Sequence, residues 1–99
     1  MRCLPLDYGD VVPHIFPIFV DPDVRDSLRQ ALLDQKIESG IHYKPNHLLS
    51  FYASELYAPR EPLPNAERAY SEMLSLPLHA VLTESDQDRV LAIVDSCVS

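Results

Sequence analysis

Nine prolines in 99 residues leave this chain few places where regular structure can run unbroken. A proline lacks the backbone donor and holds φ near about −65°, so it suits a helix start, a free strand side or a turn and ends most other elements. Pro13 and Pro17 fall on the same parity of Val11 to Val20, a run rich in Val, Ile and Phe. That composition favours a strand, and the two missing donors predict a strand that lies at an edge or has that side free.

Asp21-Pro22-Asp23 follows at once and reads as a helix start: Asp21 can accept from free N–H groups, and Pro22 suits the first helical position. Val24, Leu28, Ala31, Leu32 and Gln35 recur at i, i+4, i+7, i+8 and i+11. This stripe predicts a helix packed by one face and ending before Gly40. Ile37 to Tyr43 is predicted to be a short second strand, and His47 to Glu55 a short helix. Tyr57 to Pro64 carries three prolines and predicts an irregular connector.

Asn65 is the expected cap of a helix through Ala66, Ala69, Tyr70 and Met73, with Glu67 near its positive end. It leads into Leu74-Ser75-Leu76-Pro77-Leu78, whose leucines alternate as in a strand with one buried face. Thr83-Glu84-Ser85-Asp86 opens the last helix with a cap and an acid three residues on. Val90, Leu91, Val94 and Cys97 form its apolar stripe. The order predicts one α+β domain over residues 1–99. Its architecture is a two-layer sandwich, a small mixed or antiparallel sheet of about three strands with helices packed on one face.

A chain this short buries about two-thirds of its unfolded surface and supports one modest core. Its formal charge of −7, with eight scattered basic residues, argues against nucleic acid or an anionic membrane as partner. No apolar run approaches the ~20 residues of a membrane span. Met1-Arg2-Cys3-Leu4-Pro5 lacks a secretory signal's apolar region, so a cytoplasmic protein is expected. Cys3 and Cys97 are expected as free thiols, since nothing else suggests a secreted scaffold.

The reactive groups concentrate in Gly40-Ile41-His42-Tyr43-Lys44-Pro45-Asn46-His47. His42 and His47 are five apart, not the i, i+4 pair of a helical zinc site, and no third ligand has a recognisable spacing, so no metal site is expected. The two lysines, Lys36 and Lys44, fall at a polar helix end and in a loop, where neither would be desolvated as an imine-forming lysine must be. There is no Gly-rich phosphate loop, no Gly-x-Ser-x-Gly elbow and no Cys-x-x-Cys. Catalytic residues are therefore not assigned. A metal-dependent hydrolase using the two histidines ranks far below the readings that follow.

Several stretches together resemble the C-terminal part of the DegT-type sugar aminotransferases, pyridoxal-phosphate enzymes of fold type I. They are His14 to Val20, Arg25-Asp26, Lys36 to His47, Leu63 to Glu67, Leu74 to His79 and Leu82 to Asp86. The resemblance covers about residues 12–96, in the family's order and spacing; Phe19 and Asn46 depart from its pattern. It implies a small domain whose large partner domain, with the Schiff-base lysine, lies elsewhere. The chain alone is then expected to bind no cofactor, although its full-length relatives use pyridoxal phosphate to aminate keto groups of nucleotide-linked sugars. By the same resemblance His42, Tyr43 and His47 would line the substrate pocket. The face turned to the large domain would be apolar and would favour a homo-oligomer. The alternative is a non-catalytic α+β binding or protein-interaction module.

Overall fold

A computed structural model of the protein describes residues 1–52 and 62–98. Among them the elements run β1 (Arg2–Cys3), β2 (Phe16–Phe19), α1 (Pro22–Asp34), a 3₁₀ turn (Asn46–Leu48), α2 (Pro64–Glu72), β3 (Met73–Leu76) and α3 (Glu84–Val98). The strands form one sheet in the order β1-β2-β3, antiparallel throughout. This is the small α+β domain expected, but its third strand is β1 rather than Ile37–Tyr43. In that stretch only Gly40 pairs, through a single bridge to Ser75. The predicted connector and the end of the predicted 47–55 helix fall largely outside the described residues.

Pro17 lies in the middle strand, and the register shows why this is tolerated. It opposes Ser75, whose backbone groups both turn the other way, Ser75 N–H donating to Gly40 O at 2.7 Å and Gly40 N–H to Ser75 O at 3.0 Å. Pro17 and Ser75 are therefore a non-hydrogen-bonded pair, and the proline nitrogen points toward β1. Strand β1 stops at Cys3, opposite Ile18. The side without a donor is free because β1 is short, not because β2 is an edge.

Ile18 opposes Leu74 and Phe16 opposes Leu76, so these four share a face. Leu28 and Leu32 of α1 and Val90 and Val94 of α3 close over that face with Val20 and Ile37. The strand ends two residues early, since Leu78 lies beyond β3 and is 41% exposed. Leu91 is likewise exposed, and Val94 with half-buried Cys97 carries the inner stripe of α3. Both cysteines are free thiols.

The helix ends follow from local chemistry. Asp21 Oδ1 accepts from Asp23 N–H at 2.9 Å with Pro22 in the first turn, as expected. In α3 the capping box is complete: Asp86 N–H donates to Thr83 Oγ1 at 3.1 Å and Thr83 N–H to Asp86 Oδ2 at 3.0 Å. Asn65 does not cap α2. The helix begins at Pro64 after Leu63, because the fixed φ of proline already suits the first helical position. Two arginines close carbonyl ends of neighbouring helices. Arg89 of α3 donates to Gln35 O at the end of α1, and Arg25 of α1 donates to Tyr70 O near the end of α2.

Helix α1 ends in a Schellman arrangement, with Ile37 N–H bonded to Leu32 O at 2.9 Å and Lys36 N–H to Leu33 O at 2.8 Å. The left-handed position is held by Lys36 at φ 61°, where a Cβ is strained. Lys36→Gly should therefore stabilise the fold by about 0.5–1 kcal/mol, the relief of that strain less the added freedom of the unfolded chain. A higher urea midpoint at unchanged slope is the expected measurement; a lower midpoint would show that Lys36 makes a compensating contact.

Buried Glu72 ties β1 to α2 by accepting from Arg68 Nε at 2.8 Å and from Arg2. The hydrogen bond from Arg68 leads in holding its carboxyl below the ordinary value of 4.5; burial opposes this and Arg2 assists. A carboxyl depressed on folding contributes stability that is present above its unfolded pKa and lost as pH falls through the lower folded one. The hydrogen bonds from Thr83 act on Asp86 in the same direction, from 3.8. Stability should thus fall on acidification below about pH 4.5, and Glu72→Gln should make that decline shallower. Urea midpoints compared across the acid range test this, and identical declines in the two proteins would remove Glu72 as a source.

Candidate functional site

The Gly40–His47 stretch is placed by β3. The two backbone bonds between Gly40 and Ser75 fix the peptide plane at Gly40, after which Ile41 packs against the core and the His42 ring folds back over Gly40. A Cβ on Gly40 would lie 2.5 Å from His42 Cε1 and 3.0 Å from Nε2. Glycine is required here for space, not for its φ, which is not positive.

His42 Nδ1 lies 2.9 Å from Ser75 Oγ. The His42–Tyr43 peptide is cis, and the two rings meet edge to face with centroids 4.9 Å apart. Tyr43 is 71% exposed. Lys44 is exposed too, and Pro45 accepts from Leu48 N–H at 2.9 Å to open the 3₁₀ turn. Within that turn His47 is half-buried, with Nε2 3.7 Å from Glu67 Oε1 in the first turn of α2.

His42 and Ser75 line an open groove of about 310 Å³ together with His14, Glu38, Ser39 and Pro77. The Ser39 hydroxyl is buried there without a hydrogen-bond partner among the described residues. Of the three residues expected to share a pocket, His42 alone lines this groove; Tyr43 stacks on it outside, and His47 turns to α2. Ser75 was not identifiable from sequence, because a serine between leucines reads as the solvent side of a half-buried strand. It is only 4% exposed. In the fold its neighbour across the strand pair, Pro17, is buried too, so the second face of the sheet is covered there as well.

The groove offers the imidazoles of His14 and His42 and the carboxylate of Glu38, groups that recognise a polar ligand by hydrogen bonds. Among the described residues no three His, Cys, Asp or Glu side chains converge as metal ligands. No helix among them is long and apolar enough to cross a membrane.

The model of the DegT/DnrJ/EryC1/StrS aminotransferase family matches residues 4–95. Among solved structures, the aminotransferase TlmJ from Streptoalloteichus hindustanus is 35% identical, with a TM-score of 0.79 over 96% of this chain and 25% of its own. Helicobacter pylori PseC, an aminotransferase involved in the biosynthesis of pseudoaminic acid, is 25% identical with a TM-score of 0.75 over 86% of this chain and 23% of its own. The sugar aminotransferase CalS13 from Micromonospora echinospora is 26% identical, with a TM-score of 0.69 over 83% of this chain and 21% of its own. The chain thus spans about a quarter of the proteins it matches.

Proposed function

The chain belongs to the DegT/DnrJ/EryC1/StrS aminotransferase family, and on that premise we propose that it is the small C-terminal domain, or a truncated fragment, of an aminotransferase acting on keto groups of nucleotide-linked sugars. It works with a large domain that supplies the catalytic centre, and an amino acid is the amine donor. One observation carries this reading: a family match running through nearly the whole chain, to proteins about four times as long.

The family's members depend on pyridoxal phosphate, which supplies the electron sink for amino-group transfer. The described residues do not fit it as a covalent site. Lys36 caps α1 and Lys44 stands in the loop after Tyr43, both exposed and so without the desolvation that an imine-forming lysine needs. What the chain contributes is a wall. His42 is held in place by Ser75 and Gly40, beside His14, Glu38 and Ser39. Val12, Val81 and Leu91 are exposed apolar groups of the kind a partner domain or a second copy covers.

The test is reassembly. The chain mixed with pyridoxal phosphate should develop no imine absorbance. Joined in frame, or co-expressed, with the large domain of a relative, it should restore transamination of a nucleotide keto-sugar. Stoichiometric imine formation by the chain alone would overturn the division of labour. A folded chain that restores no activity but retains another protein as a specific partner would favour the interaction-module reading.

A further inference from the structure

Among the described residues Ser75 Oγ has one hydrogen-bond partner, His42 Nδ1 at 2.9 Å, and the residue is 4% exposed. A buried hydroxyl without an acceptor for its proton costs about 1–3 kcal/mol, so the arrangement that satisfies the pair has Ser75 donating to an unprotonated Nδ1. The opposite polarity, with Nδ1–H donating to Oγ, would strand the hydroxyl proton, because both backbone groups of Ser75 already serve Gly40 and no other acceptor among the described residues meets Oγ. His42 Nε2 then carries the ring proton. That nitrogen makes no hydrogen bond to a described residue, and the ring that carries it lines the groove.

We propose that Ser75 is a positioning residue that holds His42 as the Nε2–H tautomer, so that the imidazole meets a ligand in the groove as a hydrogen-bond donor and not as a base. The role rests on the functional reading above for the identity of the ligand, an acceptor oxygen of the sugar substrate, but not for the tautomer. Gly40 belongs to the same device: without a Cβ it leaves room for the ring, and its two bonds to β3 hold the chain two residues before the ring against Ser75.

The tautomer is read directly from imidazole ¹⁵N–¹H correlation spectra of the full chain, recorded with the ring neutral. The expected spectrum shows a protonated Nε2 and a bare, hydrogen-bonded Nδ1. In Ser75→Ala the Nδ1 resonance should lose its hydrogen-bond shift and the Nδ1–H form should appear beside the other; Ser75→Thr, which keeps the hydroxyl, should restore the wild-type pattern. A wild-type ring protonated on Nδ1 would overturn the proposal whatever the variants do. Unchanged ring resonances in a folded Ser75→Ala would also overturn it. The spectra need no activity, so a failed reassembly with a correct tautomer would count against the aminotransferase reading alone. In a reassembled enzyme, Ser75→Ala should raise KM for the sugar about tenfold, the worth of one hydrogen bond, while Ser75→Thr stays near wild type.

Discussion

Leu74→Ala should lose about 3–5 kcal/mol of stability, most of what a domain of this size has. The side chain is 0% exposed and sits where every layer meets: it pairs with Ile18 in the sheet and shares its face with Leu28 and Leu32 of α1 and Val94 of α3. Relaxation into the space left by the lost atoms is limited. Strand β3 is pinned on one side by the ladder to β2 and on the other by the bridge to Gly40, so a void should persist and add its own cost. Leu91→Ala is the matching control, because Leu91 lies on α3 but is 49% exposed, and it should cost under about 1 kcal/mol. Urea unfolding of the two variants measures the contrast. Equal losses would mean that the core is not centred on β3.

The parts of this fold that could be read in advance are those whose cause is local. Asp21-Pro22 and Thr83 with Asp86 mark helix starts because the capping group lies within three residues of the N–H it serves. The stripe of Val24, Leu28 and Leu32 marks the packed face for the same reason, a period of a few residues. What was misplaced depends on partners distant in sequence. Strand β1 is two residues long and has no periodicity of its own; it exists because Arg2 and Cys3 find Phe19 and Ile18, and because Arg2 reaches Glu72 seventy positions on. Ile37–Tyr43 alternates like a strand, yet Ile37 is drawn back by the Schellman bond to Leu32, and beyond Gly40 the chain turns Ile41 into the core. The candidate site divides in the same way. His42 announces itself by type and by its neighbours, whereas Ser75, which orients it, lies 33 residues away and looks like an outward-facing strand residue.

Gly40→Ala should therefore do more harm to the site than to the fold. The new Cβ would stand 2.5 Å from His42 Cε1, closer than non-bonded carbons approach, and the Gly40 backbone is not free to yield because both its polar groups are bonded to Ser75. The ring must leave, and the hydrogen bond to Ser75 leaves with it, at a cost to stability of about 1 kcal/mol. Displacing a substrate-positioning group by about 1 Å can cost on the order of 100-fold in rate, so, with His42 in the role proposed above, kcat/KM of an enzyme reassembled with a large domain should fall by about that factor. Gly9→Ala is the control for introducing a Cβ elsewhere: there the one close contact among the described residues is Asp7 Oδ1 at 3.1 Å on an exposed turn, no groove-lining side chain meets the new Cβ, and activity should be unchanged. If Gly40→Ala kept both the His42 resonances and the activity of the wild type, the chain would have another way to seat the ring. The absence of a side chain at Gly40 would then not be what makes the wall. If the ring moved and activity stayed, His42 would be seated by this device for a reason other than the sugar substrate.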